Sequence, residues 1–246
     1  MLITGAVVLV VVAVLVVALV AGRSPSTVAL VDPAEPAPAA LASGHTLGRA
    51  DASVTIDLWE DFQCPNCAVF ARTVEPRLVN QYVVPGTARI VFHHLAFIGS
   101  TANRDGFESL LAAVAADCAS DQGRFWAYQE YLFANQGPQE NGGTFNAELF
   151  DAIARRLGLD VTAFDSCRAD PARAASVKAA RAEATAAGIT GTPTIHVNGT
   201  AVAAWNFPTV SAAIEAAAAS APPAASSAAG SVPPASTPPG PTAPAP

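Results

Sequence analysis

The chain has 246 residues, with 20 acidic against 13 basic side chains and a formal net charge of −7. That balance supplies no basic stripe to track a phosphate backbone, which excludes nucleic acid as a partner. Hydrophobic residues make up 51%, but an apolar N-terminal span and abundant alanine supply much of this, so the middle has to be judged apart from the ends.

From Gly5 to Gly22 only Ala, Val, Leu and Gly occur. That run approaches the ~20 residues of a bilayer-spanning helix and exceeds the ~7–15 of a signal peptide's apolar core. Residues 1–22 therefore read as an uncleaved transmembrane anchor rather than a signal. Arg23 follows the span and no Lys or Arg precedes it, which taken alone opposes an outside C-terminus; a start upstream of Met1 would supply the missing basic segment. Residues 23–44 carry Pro25, Pro33, Pro36 and Pro38 without sustained periodicity and read as a tether. Residues 45–220 are long enough for one domain with its own core. The stretch 221–246 is almost wholly Pro, Ala, Ser, Gly and Thr, and cannot build a core.

Within the domain, Val54, Ile56 and Leu58 alternate with Thr55 and Asp57, which predicts a half-buried strand. Cys64-Pro65-Asn66-Cys67 follows, and then Ala68, Val69, Ala71, Val74 and Leu78 recur at helical spacing. Cys64 thus falls at a helix N-terminus, where unpaired N–H groups and the macrodipole favour a thiolate. The spacing suits an exposed low-pKa nucleophile, Cys64, and a resolving thiol one turn inside, Cys67. Half of a zinc site is the competing reading, but Cys118 and Cys167 form no second Cys-x-x-Cys, and the neighbours His93 and His94 face opposite sides of a strand. No metal is expected. A purely structural disulfide is the other alternative.

Ala88 to Leu95 reads as a second strand, with Ile90, Phe92 and His94 on one face; strand, helix, strand makes a parallel unit. A helical block follows, with Phe107, Leu110, Leu111, Val114, Ala115 and Cys118 on one stripe. Further runs are Phe125 to Phe133 and Leu149 to Leu157. Asp170-Pro171 opens another helix that Gly188 stops. Two short strands then meet at Asn198-Gly199, a hairpin signal, and a last helix carries Val210, Ala213, Ile214 and Ala217. Trp59, Trp126, His94 and His196 read as packed or hydrogen-bonded side chains rather than catalysts.

Three stretches together resemble the DsbA-like thiol:disulfide oxidoreductases of the thioredoxin superfamily, of the membrane-anchored Gram-positive or actinobacterial type. They are Asp61-Phe62-Gln63-Cys64-Pro65-Asn66-Cys67, Ala116-Asp117-Cys118 with Gln122-Gly123-Arg124-Phe125-Trp126, and Gly191-Thr192-Pro193-Thr194. The resemblance implies an α/β, thioredoxin-like fold over 45–220 with an inserted helical subdomain at about 102–187. It implies Cys64 as nucleophile, Cys67 as resolving thiol, and Thr192 before a cis Pro193 as the edge that holds a client strand. It also implies a second disulfide between Cys118 and Cys167, which would suit an oxidising compartment; two buried free thiols on apolar helical faces are the alternative.

The chain departs from the family in two places. Asn66 stands where many members have histidine, and Leu58 stands where many have a buried acid six residues before the first cysteine, so the proton relay loses its usual residue. Asp61 is nearer but reads as a cap or turn residue.

By the same resemblance the protein is a monomeric, extracytoplasmic oxidase without a cofactor. It would donate its disulfide to exported cysteine-containing proteins and be reoxidised by a quinone-linked membrane partner of the DsbB or vitamin-K-epoxide-reductase type. A reductase or isomerase using the same site in the other direction is the second reading, and a tethered binding module, which would leave the motif without purpose, the third.

Overall fold

The computed structural model describes residues 28–99 and 107–220. The expected anchor over 1–22 and the tail over 221–246 lie outside the described residues, as do 23–27 and the start of the helical insertion. No described helix is long and apolar enough to cross a membrane.

Six strands form one mixed sheet: β1 (Ala42–Ser43), β2 (Thr46–Leu47), β3 (Val54–Glu60), β4 (Ala88–His94), β5 (Thr194–Val197) and β6 (Thr200–Ala201), in the order β1-β2-β4-β3-β5-β6. β3 and β4 are parallel, Val54 opposite Ala88 through Glu60 opposite His94. The crossover between them carries α1 (Pro65–Thr73) and α2 (Glu75–Leu78), followed by a π turn at Val79–Val83. Both parallel strands alternate buried with half-buried residues along their whole length, the period that a sheet with one fully covered face imposes. The core holds Val54, Ile56, Leu58, Ile90 and Phe92 with Phe62, Phe70, Phe125, Trp126 and Phe133.

Between β4 and β5 lie α3 (Glu108–Ser120), α4 (Phe125–Ala134), α5 (Ala147–Arg156), α6 (Val161–Ala169) and α7 (Pro171–Ala186); α8 (Phe207–Ser220) is the last described element. Side-chain caps start three of them: Asn146 accepts from the Leu149 N–H, Asp160 from Ala163 and Asp170 from Ala172. The α6 helix shows no apolar stripe in the sequence because only Phe164 is buried on it. At the β5–β6 turn Asn198 and Gly199 both have positive φ, 47° and 78°, as a tight hairpin requires. Asn198 Oδ1 accepts from Thr55 N at 2.7 Å, which ties the hairpin to β3.

The expectation of a free tether over 23–44 does not hold for residues 28–44. Val28, Leu30, Ala37, Leu41 and Ala42 pack against the core. Arg156 holds both carboxylate oxygens of Asp32 at 2.9 and 2.8 Å, and Tyr131 donates to the same carboxylate at 2.6 Å. Single anchors of this kind leave no periodic trace in a proline-rich segment.

Candidate active site

Cys64 ends the loop after β3 in extended conformation (φ −71°, ψ 119°) and N-caps α1, with Pro65 in the first turn. A proline tolerates this place because its missing N–H would have had no helical partner there. The loop is tightly held. Asp61 accepts from the backbone of Gln63, Phe97 and Ile98 at 2.8, 2.9 and 2.9 Å and from Ser109 Oγ at 2.6 Å. This makes it a turn-fixing residue, as its position suggested. Gln63 Nε2 donates to Glu108, whose carboxylate also takes the Gly143 and Phe145 N–H groups. Gln136 Nε2 donates to the carbonyls of Phe62 and Cys64 at 2.7 and 3.0 Å. Helices from the insertion thus fix the position of the cysteine loop.

The antiparallel pairing of β5 with β3, Trp59 opposite Thr194, brings the residues just before β5 to the end of β3 from which the cysteine loop springs. There Thr192-Pro193 is a cis peptide, and Cys64 Sγ donates to the Thr192 carbonyl at 3.5 Å. Thr192 and Pro193 are half-buried, Pro65 and Asn66 exposed.

Cys64 and Cys67 are both free thiols and both buried. The sequence predicts an exposed Cys64; it is 7% accessible because the Thr192 loop lies against it, while Cys67 is at 0%, so only Cys64 can be reached from outside. Their acidities diverge. The Cys67 thiol donating to Cys64 lowers the Cys64 pKa most, burial opposes it, and the Thr192 side chain and the Cys67 and Asn66 N–H groups lower it further, to about 6. For Cys67, burial comes first, then its hydrogen bond to Cys64 and the nearby Glu60 charge, and together they push its pKa well above the ordinary thiol value.

Glu60 is a buried acid of the site region that motif reading missed. It is 1% exposed and neither carboxylate oxygen has a hydrogen-bond partner. Burial, the charge of Glu75 and that of Cys64 push its pKa well above the ordinary carboxyl value. The signal was present: Glu60 continues the inward series Val54, Ile56, Leu58 by two residues. It stands four residues before Cys64, not six.

Cys118 on α3 and Cys167 on α6 are joined by a disulfide. His94 Nε2 and His45 Nε2 both lie 2.9 Å from Asp117 Oδ1. Burial acts to raise the Asp117 pKa, but His94 and His45 outweigh it and hold the carboxyl well below its usual range. The ligand atoms of these three residues lie within 4.8 Å of one another, a grouping that suits a cation, and it includes neither Cys64 nor Cys67. His196 packs edge-on against Trp59, which stacks on His93 with centroids 4.6 Å apart.

The family model described as Thioredoxin matches residues 41–216. The "Probable disulfide bond formation protein D" of Bacillus anthracis is 27% identical over 173 residues, covering 65% of this chain and 72% of that protein. The "Na(+)/H(+) antiporter NhaA 1" of Salinispora arenicola is 31% identical over 174 residues, 70% of this chain, but the match spans only 24% of the antiporter. Among solved structures, oxidised BdbD from Bacillus subtilis superposes with a TM-score of 0.63 at 23% identity, over 77% of this chain and all of that one, and shares the α/β fold with its helical insertion. With two unequal thiols at a helix N-terminus inside that fold, the chain belongs to the thioredoxin family as a DsbA-like protein thiol:disulfide oxidoreductase.

Proposed function

We propose that the protein introduces disulfides into exported proteins from an extracytoplasmic position, with Cys64 as nucleophile and Cys67 as resolving thiol. The observation that carries this reading is the contrast between the two thiols: Cys64 is poised at about 6, whereas Cys67 is pushed far up and is sealed from solvent. In the oxidised enzyme a client thiolate attacks Cys64 Sγ, the Cys64–Cys67 bond breaks, and Cys67 takes up a proton. A second client thiolate then attacks the client sulfur of the mixed disulfide and releases Cys64 as a thiolate. The client has lost two electrons and the enzyme has gained them. A leaving thiolate of low pKa departs faster and makes the disulfide easier to donate.

Thr192 and Pro193 offer a backbone edge beside Cys64 for an extended client segment, and Cys118–Cys167 is a structural bridge. Localisation follows from the span over 1–22, and reoxidation falls to a quinone-linked membrane protein of the DsbB or vitamin-K-epoxide-reductase type. The same site run by an electron donor would make a reductase or isomerase.

Equilibration of the protein in glutathione buffers tests the direction. The Cys64–Cys67 potential should lie nearer the ~−120 mV of the strongest family oxidant than the ~−270 mV of thioredoxin. A value at the thioredoxin end would transfer the assignment to the reductase. An alkaline-phosphatase fusion after Pro25 that stays inactive, while a cytoplasmic reporter there is active, would overturn the location.

A further inference from the structure

Three polar side chains outside the cysteine pair converge on one point. His45 sits in the turn between β1 and β2, His94 is the last residue of β4, and Asp117 lies in the last turn of α3. No sequence spacing links residues 45, 94 and 117, so only the fold brings them together. The expectation of no metal came from the cysteines and from His93 beside His94, and took no account of a histidine from the edge hairpin.

The geometry is specific. Nε2 of His45 and Nε2 of His94 each lie 2.9 Å from the same oxygen, Asp117 Oδ1, and the two rings stand edge-on at 85° with centroids 5.2 Å apart. The side chain of His94 is 5% exposed, that of Asp117 16% and that of His45 33%, so the cluster is embedded in protein yet reachable from solvent. Its framework is fixed from three sides. The His45 carbonyl accepts the Phe92 N–H at 2.9 Å, and the His45 ring lies on Phe125 with centroids 4.1 Å apart. Asp117 adjoins Cys118, whose disulfide to Cys167 ties α3 to α6.

Two imidazoles and one carboxylate are the donor set that zinc and its first-row neighbours take, whereas calcium and magnesium select oxygen. All three donor atoms lie within 4.8 Å of one another. Bonds of ~2.0–2.2 Å at tetrahedral angles set donor atoms about 3.3–3.6 Å apart, so shifts of less than about 1 Å per side chain convert the hydrogen-bonded cluster into a coordination shell. The three residues also line one groove of about 380 Å³, shared with Trp59, Ser176 and Glu183, from which a water can complete the shell.

We propose that His45 Nε2, His94 Nε2 and an Asp117 carboxylate oxygen bind one divalent transition-metal ion of the zinc class, with water as the fourth ligand. Each imidazole gives the ion its Nε2 lone pair, and the proton now directed at Asp117 moves to Nδ1 or leaves to water; no electron is transferred. The ion ties the β1–β2 hairpin to β4 and to α3. Strands of two residues each hold little by themselves, so occupancy is read in stability rather than in thiol chemistry. The site does not depend on the direction in which Cys64 and Cys67 run.

The test titrates zinc into the full chain carrying Cys64→Ser and Cys67→Ser and stripped with EDTA, so that the active-site thiols cannot take the metal. Calorimetry should show a single site, and calcium or magnesium in excess should not displace the zinc. Of the four histidines in the chain, the ring resonances of His45 and His94 should shift on binding and those of His93 and His196 should not. Asp117→Asn and His45→Gln should each weaken binding at least ~10²-fold, the upper end of what loss of an outer-shell partner costs, while His93→Gln leaves it unchanged. Zinc at about a hundred times its dissociation constant should lower the unfolding equilibrium constant ~10²-fold, and that of His45→Gln hardly at all. Should Asp117→Asn fail to fold, His45→Gln, at a partly exposed turn, carries the test. No binding at micromolar zinc, equal binding with and without His45, loss of binding in His93→Gln, or displacement by calcium would each overturn the site.

Discussion

Glu60 and Cys67 are buried together beneath the cysteine loop, and a charge on the carboxylate makes the thiol harder to ionise. The thiol is therefore held neutral while the carboxylate is charged. Glu60→Gln keeps the shape and removes the transferable proton. Breakage of the Cys64–Cys67 bond should slow by at least ~10²-fold, the lower bound for a positioned general acid, while the Cys64 pKa, set mainly by Cys67, Thr192 and helix N–H groups, stays near about 6. Stopped-flow reduction and the ultraviolet absorbance of the thiolate read the two quantities separately. Parental kinetics in the variant would exclude Glu60 as the proton donor.

Two further acids give stability a slope in pH. Burial raises Glu75 from its ordinary 4.5 to about 8 and Glu130 from 4.5 to about 7. Between these values the unfolded chain is ionised and the folded one is not. Their stabilising contribution is complete below about 4.5 and is lost as pH rises through about 7 and 8. Every tenfold difference in proton affinity between the folded and unfolded chain corresponds to ~1.4 kcal/mol, so urea midpoints should drop on going from about pH 5 to about pH 8, and Glu75→Gln should flatten that drop. Asp117 works the other way: its depressed pKa contributes stability above 3.8 that disappears as pH falls. A stability curve that rises steadily towards pH 8 would refute the burial of these two acids.

Sequence alternation was enough to locate β3 and β4 because a sheet buried on one face imposes period two, and Asn198-Gly199 marked its hairpin because few other pairs take positive φ together. The cysteine loop was legible for a related reason: its chemistry and its place at a helix N-terminus are both local. What the sequence concealed is non-local. Residues 28–44 dock through separate contacts such as Asp32 with Arg156. The β1–β2 pair is two residues per strand, too short for any pattern. Glu60 escaped because the family spacing pointed to Leu58, although both side chains face inward from the same strand.

Cys118 and Cys167 link α3 to α6 across a sequence separation of 49. In the chain-entropy picture, closing a loop of that length stabilises the fold by ~4 kcal/mol. For a domain of this size each kcal/mol moves the midpoint by about 2–4 °C. The double variant Cys118→Ala/Cys167→Ala should accordingly melt ~8–16 °C lower, with the Cys118 site, 1% exposed, leaving a small cavity as well. Calorimetry of the parent and variant checks this. Equal melting points, or recovery of both cysteines as free thiols from the oxidising compartment, would remove the bridge from the account.

The two active-site thiols should fail differently when replaced. Cys64 is the reachable sulfur, 7% exposed against 0% for Cys67, and it is also the better leaving thiolate at about 6. Attack by a client therefore falls on Cys64, and only Cys67 can then free the enzyme from a client that lacks a second thiol in reach. Cys67→Ser should accumulate mixed disulfides through Cys64, because no internal thiol remains to displace the client. Cys64→Ser should trap almost none and have no oxidase activity, since its one remaining thiol is sealed and has a strongly raised pKa. Non-reducing gels of each variant after alkylation, with peptide mapping of the trapped bands, distinguish the outcomes. Equal trapping by both variants, or trapping through Cys67, would reverse the assignment of nucleophile and resolving thiol.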